Sequence, residues 1–218
     1  MKDMKGCIFD LDGTLGDTRA SLVHSVGLTL KEMGLPGITD KACISFVGNG
    51  ARYLIEKSLE ASSEGSSSRI EEAMEIYGRV FDRNCTYQAE PYEGIEEMLS
   101  EMKSRGIKLS VLSNKPHEQT VKVVHAMFGE EMFMYIQGQT EGIPRKPDPE
   151  GIYRALQEMG ISPGECLYVG DSEVDITTGK RAGIKTVSVS WGFRSKEELK
   201  LAEPEYIIDK AEELLKFV

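Results

Sequence analysis

The sequence lacks a hydrophobic run that approaches the roughly 20 residues of a membrane-spanning helix. It is also poor in cysteine: there are 4 in 218 residues, scattered, with no CxxC pair and no nearby histidine pattern. These absences argue against a helix that crosses a membrane and against the usual zinc sites. We expect the cysteines to be reduced packing residues of a cytoplasmic protein. They are Cys7, Cys43, Cys85 and Cys166.

Positive charge is scarce as well. The chain has 26 Lys and Arg against 36 Asp and Glu, which gives a formal net charge of −10. Binding to nucleic acid or to an anionic membrane surface needs a basic stripe, and the sequence has none, so we expect neither partner. An anionic substrate would need a local positive charge or a metal ion. The opening MKDMKG lacks the apolar stretch of a signal peptide, which also favours a cytoplasmic location.

What is present is the composition of an ordinary globular protein. Hydrophobic residues make up 40% of the chain and charged residues 28%, with 22 Gly and 8 Pro. A chain of 218 residues suits one large domain, or a main domain that carries a smaller one. No internal repeat is visible.

The first part of the chain predicts one strand and then a helical block. KGCIFD is a short apolar run that ends at Asp10 and is followed by a Gly-Thr turn, which indicates a buried strand that leads into a loop. From about residue 18 the apolar residues recur at helical spacing, and no strand pattern interrupts them. The sets are Leu22, Val26, Leu30 and Met33; Ala51, Leu54, Ile55 and Leu59; and Ile70, Met74, Tyr77 and Phe81.

After residue 89 the pattern alternates between amphipathic helices and apolar strands. Helices are predicted near 95–105, 117–128, 149–160 and 175–182, and each precedes an apolar run. Repeated helix–strand units with nearly continuous apolar strands indicate a parallel sheet that is covered on both faces. The helical block is therefore an insertion after the first strand of an α/β domain. The runs are IKLSVLSNK, MYIQGQT, ECLYVGDS and IKTVSVSWG.

Polar residues collect where the predicted strands end. In a parallel sheet the carboxyl ends of the strands lie along one edge, and ligands of open α/β sheets bind there. Separate stretches of the chain should therefore converge on one site. The residues are Asp10 and Asp12 after the first strand, Ser113 after IKLSVL, Lys146 in RKPDP, and Asp171 and Asp175 after CLYVG.

These residue types predict phosphoryl transfer assisted by a metal ion. Asp10 and Asp171 would repel each other unless a hard divalent cation, most simply Mg²⁺, lay between them. Asp10 could then attack phosphorus as a carboxylate nucleophile. Asp12 projects to the same side of an extended chain, so it could protonate the leaving oxygen and later accept a proton from water. Ser113 and Lys146 would hold the phosphoryl oxygens.

Each motif has a simpler interpretation when it stands alone. A DxD after a strand is often a solvated turn, a Ser-Asn pair is usually a cap or a turn, and GDSEVD could be only a capped helix start. Their order and their shared position at strand ends make the combination far more specific than any single motif.

Taken together, the motifs resemble the phosphatase branch of the haloacid dehalogenase superfamily over the whole chain. FDLDGTL, LSN, the lysine of RKPDP and GDSEVD match its four motifs in order. The resemblance implies a Rossmann-like, doubly wound core with magnesium held by Asp10, the backbone carbonyl of Asp12 and Asp171. It also implies that Asp175 supports the metal site or its water shell. Gly13, Thr14 and Asn114, which adjoin these motifs, are further candidates for binding the substrate.

The resemblance also predicts the domain organisation. Residues 1–15 and 84–218 would form the core, and residues 16–83 would form a small helical C1 cap that closes over the site. Residues 46–59 are similar to the cap loop and helix of phosphoglycolate phosphatases. Arg52 and Asn49 are therefore candidates for cap-borne contacts to the substrate, with Gly48 and Gly50 shaping the loop.

The expected function is magnesium-dependent hydrolysis of a small phosphorylated metabolite, with phosphoglycolate favoured, by a cytoplasmic monomer or homodimer. A phosphotransferase of the β-phosphoglucomutase type and a pyrophosphatase remain alternatives within the family. Dehalogenation is disfavoured, because that branch needs neither a metal ion nor the second acid Asp12. A non-catalytic member of the fold is a more remote alternative.

Overall fold

The computed structural model describes residues 4–218, so the first three residues of MKDMKG and of the predicted core domain lie outside the described residues. The strands are β1 (Gly6–Phe9), β2 (Gly16–Asp17), β3 (Glu90–Pro91), β4 (Lys108–Pro116), β5 (Tyr135–Gln139), β6 (Cys166–Gly170), β7 (Lys185–Val189) and β8 (Tyr206–Ile208). The helices are α1 (Arg19–Glu32), α2 (Asp40–Ser45), α3 (Ala51–Ser62), α4 (Ile70–Asn84), α5 (Ile95–Ser104), α6 (His117–Phe128), α7 (Glu150–Met159), α8 (Glu173–Ala182) and α9 (Lys196–Leu201).

A parallel sheet forms the centre of the described chain. Its strand order is β5-β4-β1-β6-β7-β8, and every neighbouring pair is parallel. The first strand thus lies between β4 and β6, and the carboxyl ends of all three meet at one edge. The predicted α/β class with a Rossmann-like parallel sheet is confirmed.

Side chains of the central strand alternate between two apolar layers. In β1, Cys7 and Phe9 pack into a large cluster that also contains residues of the inserted helices, while Ile8 packs into a smaller cluster beside α7 and α8. In β6, Tyr168 faces the same smaller cluster as Ile8. Because both faces are covered, the central strands β1 and β6 are almost entirely apolar and show no polar alternation.

The inserted block consists of α1 to α4. The spacing predicts α1, α3 and α4, while the short helix α2 was not predicted. Leu22, Val26 and Leu30 are all buried and lie on one face of α1. The segments that enter and leave this block are held side by side, because β2 and β3 pair antiparallel. These two short strands were not predicted, since two residues carry no periodicity. The division of the chain at residues 15/16 and 83/84 stays a prediction.

The cysteines are free and buried in the part of the chain described. Burial raises the thiol pKa of Cys43 and that of Cys166 to about 12, which suits packing residues. No helix within residues 4–218 combines the length and the apolar character needed to cross a bilayer.

Candidate active site

Asp10 directly follows β1, and its position comes from the sheet. Its backbone N–H donates to the carbonyl of Val169 in β6, so the strand pairing continues to the residue itself. Its carboxylate is 7% exposed, and Oδ1 accepts from Lys146 Nζ at 2.7 Å. Oδ2 has no hydrogen-bond donor among the described residues. Burial raises the pKa of Asp10 to about 7, with Lys146 acting in the opposite direction and Asp175 adding to the rise.

Lys146 connects two carboxylates at the floor of the site. Nζ donates to Asp10 Oδ1 at 2.7 Å and to Asp175 Oδ1 at 2.8 Å, and the side chain is 4% exposed. Burial alone would lower the pKa of Lys146, but the charges of the two aspartates and these hydrogen bonds raise it above its ordinary value. A lysine buried in this way stays charged.

Asn114 holds the backbone of Lys146 in place. Its Oδ1 accepts from the Lys146 N–H at 2.8 Å, and its Nδ2 donates to the Lys146 carbonyl at 2.9 Å. The same Nδ2 donates to the carbonyl of Gly48 in the inserted block, at 2.9 Å. Asn114 lines the cavity, as expected of a substrate-binding candidate, but its amide is already engaged by the protein.

The carboxylate of Asp175 accepts hydrogen bonds both from the start of α8 and from Lys146. Ser172 caps α8, and Ser172 N–H and Oγ donate to Asp175 Oδ2 at 3.2 Å and 2.5 Å in a capping box. Oδ1 accepts from Lys146 and, at 2.6 Å, from Tyr168 Oη. Burial opposes ionisation here, but Lys146 and these hydrogen bonds lower the pKa of Asp175. Both oxygens are engaged, so Asp175 stands behind the site and fixes Lys146.

Asp171 is a buried carboxylate in tight surroundings. Oδ2 accepts from the backbone N–H of Phe193 at 2.6 Å, and no cationic side chain among the described residues forms an ion pair with it. Burial, together with the charges of Asp10 and Asp175, raises the pKa of Asp171 well above its usual range. Gly13, at φ +87°, is close: a Cβ there would lie 2.3 Å from Asp171 Oδ2.

The donor set fits a hard divalent cation. One carboxylate oxygen from each of Asp10, Asp171 and Asp175 lies within 4.8 Å of the others. Asp10 and Asp171 each have one carboxylate oxygen that accepts no hydrogen bond from the described residues. The backbone carbonyl oxygen of Asp12 accepts none from them either. Oxygen ligands that carry negative charge are those that Mg²⁺ prefers. Asp175 can support such an ion only indirectly while its oxygens hold their present partners.

Asp12 is held on one side only. Oδ1 accepts from Thr18 Oγ1 and from Lys115 Nζ, both at 2.6 Å. Oδ2 has no partner among the described residues, and the carboxylate lines the cavity. Ser113 is nearby, within β4 and directly after Leu112, where the register with β5 shifts. Its Oγ accepts from the Lys115 N–H at 3.2 Å, and the residue is 4% exposed.

These groups line a cavity between the sheet edge and the inserted helices, with a volume of about 40 Å³. A buried water needs roughly 10–15 Å³ by this measure, so there is room for about three water molecules. The floor is polar and comes from the sheet edge, while the facing wall is largely apolar. That wall includes Leu22, Val47, Ala51, Leu54, Tyr77 and Phe81.

The loop that precedes α3 is fastened to the sheet edge through three consecutive carbonyl groups. Arg194 Nη2 donates to the carbonyl of Val47 at 2.9 Å, Asn114 to that of Gly48, and Arg145 Nη1 to that of Asn49 at 3.0 Å. The inserted block is therefore tied to the sheet edge beside the cavity.

The structure brings most of the predicted residues together but leaves some outside the cavity. Arg52 does not line it; its guanidinium pairs with Glu71 at 2.5 Å, and its side chain is 53% exposed. The contribution of Asn49 is its backbone carbonyl. Gly13 and Thr14 lie in the turn behind the cavity lining. This arrangement gives no support to the predicted contact between Arg52 and a substrate, because the ion pair turns the side chain to solvent.

Sequence reasoning missed Lys115, Thr18, Arg145 and Arg194. Lys115 had a usable signal, since it directly follows Ser113-Asn114 at the end of a predicted buried strand, where an unpaired lysine would be costly. The two arginines gave none, because each contacts a backbone carbonyl that is remote in sequence.

Comparisons with known proteins agree with one another. The sequence model of the family described as haloacid dehalogenase-like hydrolase matches residues 7–189. The chain is 32% identical to a phosphoglycolate phosphatase of Aquifex aeolicus, over 99% of this chain and 97% of that protein. It is 29% identical to a phosphoglycolate phosphatase of Escherichia coli strain K12, over 98% and 92%. A haloacid dehalogenase-like family hydrolase of Streptococcus pneumoniae superposes with a TM-score of 0.87 at 25% identity, over 100% and 99% of the chains.

Proposed function

Because this chain belongs to the haloacid dehalogenase-like hydrolase family and is a phosphatase, we propose that it hydrolyses phosphoglycolate, or a phosphomonoester of similar size, with Mg²⁺. The reaction proceeds through an aspartyl-phosphate on Asp10. The observation that carries the proposal is the free Oδ2 of Asp10 beside Lys146 and Asp171 in a small cavity under the inserted helices.

The phosphate group binds over the polar floor. Lys146 and Ser113 present an ammonium and a hydroxyl group to the phosphoryl oxygens, and Asp175 keeps Lys146 in position. Asp10, Asp171 and the carbonyl of Asp12 would hold Mg²⁺, which would supply positive charge to offset the carboxylates and polarise the phosphate. The inserted block excludes bulk water, which strengthens each of these interactions.

In the first half-reaction, Asp10 Oδ2 attacks phosphorus and forms the new P–O bond while the bond to the leaving alcohol breaks. Asp12, whose Oδ2 is free, donates a proton to the leaving oxygen. Thr18 and Lys115 both bind Oδ1, so the acid keeps one orientation throughout.

In the second half-reaction, a water molecule replaces the departed alcohol. Asp12 accepts a proton from this water, the water oxygen attacks phosphorus, and the P–O bond to Asp10 breaks. Inorganic phosphate leaves, and the two aspartates return to their starting states. The same carboxyl group thus serves as acid and then as base.

Two observations favour a short substrate. The cavity is small, at about 40 Å³. The relatives at 32% and 29% identity are named phosphoglycolate phosphatases, and both cover nearly all of this chain.

The test is phosphate release from a panel of phosphorylated metabolites, with Mg²⁺ and with EDTA. We expect release only with the metal ion, with phosphoglycolate among the best substrates. Asp10→Asn should lower kcat by at least about 10³-fold while the fold is kept, because the amide is no nucleophile. Asp209→Asn, on an exposed residue, is the control. Full activity of Asp10→Asn would contradict the assignment of the nucleophile.

The same assay separates hydrolysis from phosphoryl transfer within a sugar. A mutase of the β-phosphoglucomutase type would convert a hexose phosphate to its isomer without net release of phosphate. No feature of the described site favours that alternative or a pyrophosphatase.

A further inference from the structure

A buried lysine that takes no chemical part in the proposed mechanism lies on the leaving-group side of the cavity. Lys115 follows Asn114 in β4, and its side chain is 2% exposed. Nζ donates to Asp12 Oδ1 at 2.6 Å and lies 5.0 Å from the centroid of the Phe81 ring. Among the described residues Asp12 is its only hydrogen-bond acceptor. An ammonium group has three N–H donors, so two remain for a ligand.

The other cationic side chains that line the cavity make more hydrogen bonds to the protein than Lys115 does. Lys146 is bound to two carboxylates at the floor. Arg194 pairs with Glu173 at 2.9 Å and donates to the carbonyl of Val47. Lys115 thus makes the fewest side-chain hydrogen bonds to the described residues of these cavity-lining cations, one against two for Lys146 and three for Arg194.

Its position relative to Asp12 identifies the part of the substrate that it meets. Lys115 and Thr18 bind Oδ1 of Asp12, and the leaving oxygen of the substrate takes its proton from Oδ2. Because Oδ1 and Oδ2 belong to the same carboxyl group of Asp12, only this group separates the ammonium of Lys115 from the leaving oxygen. Asp10 and Lys146, by contrast, serve the phosphoryl group.

A second negative charge on a substrate would otherwise bind poorly here. Leu54, Tyr77 and Phe81 form the wall of the cavity, and a carboxylate against apolar side chains is costly unless a cation pairs with it. An ammonium group at Lys115 offsets this cost.

We propose that Lys115 determines specificity by binding a carboxylate whose carbon is two bonds from the ester oxygen of the leaving alcohol. The substrate class is then a short 2-phosphorylated hydroxy acid rather than a phosphomonoester of the same size whose alcohol part carries no charge. This inference rests on the proposed phosphatase function and adds the group that selects among its substrates.

The experiment compares two substrates that differ in this group alone: phosphoglycolate and 2-hydroxyethyl phosphate, each with Mg²⁺. The wild-type protein should prefer phosphoglycolate in kcat/KM. Lys115→Met should lower kcat/KM for phosphoglycolate on the order of 100-fold, chiefly through KM, because a desolvated charge pair is lost. For 2-hydroxyethyl phosphate, kcat/KM should fall less than about tenfold, since the substitution removes only the hydrogen bond from Lys115 to Asp12. Lys115→Arg should recover part of the preference.

Lys122→Met is the matched control, because Lys122 is a solvent-exposed lysine that pairs with Asp82. It should leave both substrates unaffected. Equal losses on the two substrates in Lys115→Met would show that Lys115 only positions Asp12, and would overturn the inference while leaving the phosphatase intact. If the wild-type protein releases phosphate from neither ester, it is the proposed function that fails.

The wild-type ratio alone tests the inference if Lys115→Met does not fold, as circular dichroism and a thermal melt would show. A wild-type protein that hydrolyses 2-hydroxyethyl phosphate as efficiently as phosphoglycolate would overturn the role of Lys115 without any variant.

Discussion

At the scale of single residues, the described residues of the site include a buried carboxylate without a cationic partner at the place where a metal ion is expected. Asp171 is buried, accepts one backbone N–H, and has no ion-pair partner among the described residues. Asp175 has four hydrogen bonds and a lowered pKa although it is equally buried. The contrast separates a carboxylate left available for a cation from one that is fixed in the structure.

A first prediction follows for Asp171→Asn. In EDTA at pH 8 the variant should be more stable than the wild-type chain by about 1 kcal/mol or more, which is about 2–4 °C in Tm for a chain of this size. The reason is that a buried charge without a partner is removed. Thermal melts with and without Mg²⁺ measure this. The variant should also lose the stabilisation that Mg²⁺ gives the wild type; a variant still stabilised by the ion would contradict the role of Asp171.

At the scale of elements, the loop before α3 is the joint between the inserted block and the sheet edge. Consecutive backbone carbonyls at residues 47–49 accept hydrogen bonds from side chains of the core, at 2.9, 2.9 and 3.0 Å. Asn114 connects this loop to the backbone of Lys146 at 2.9 Å, so the positions of the loop and of Lys146 depend on the same side-chain amide.

A second prediction concerns Arg145, which holds the loop without lining the cavity. Arg145→Ala should speed amide hydrogen exchange at residues 47–51 and raise KM by about 3- to 10-fold, since one hydrogen bond between the loop and the sheet edge is lost. Mass spectrometry after exchange measures the first effect, and steady-state kinetics the second. Arg154→Ala, whose side chain pairs with Glu150 and is 45% exposed, is the control. Unchanged exchange would show that the loop does not depend on Arg145.

At the scale of the whole molecule, the net negative charge of the chain and the carboxylates of the site both disfavour an anionic substrate unless a cation is bound. The formal net charge is −10, and burial raises the pKa values of Asp10 and Asp171. A bound cation therefore stabilises the folded state and enables it to accept an anionic substrate.

A third prediction is the pH dependence of stability without metal. The pKa of Asp10 is raised from 3.8 to about 7, so the folded state binds more protons than the unfolded state between these values. Stability in EDTA should therefore fall as pH rises from about 4 to about 7. Asp171 adds to this in the same direction. Urea unfolding across this range measures it, and Mg²⁺ should restore stability most at the upper end, where protons no longer compete. A rise in stability with pH in EDTA would contradict the assignment.

Much of this protein followed from local patterns in the sequence. The apolar runs predicted the parallel strands, the helical spacing predicted the inserted helices, and strand ends predicted where Asp10, Ser113 and Asp171 would meet. These inferences succeed because periodicity reflects which face of an element is buried, and parallel strands share one carboxyl edge.

Only the tertiary structure decided the partners within the site. Lys115 and Asp12 are 103 residues apart, and their hydrogen bond depends on how β4 lies beside β1. The outward direction of Arg52 depends on its packing against Glu71, which helical spacing alone cannot fix. Sequence determines elements because their causes are local, whereas contacts between distant side chains are set by the packing of those elements against one another.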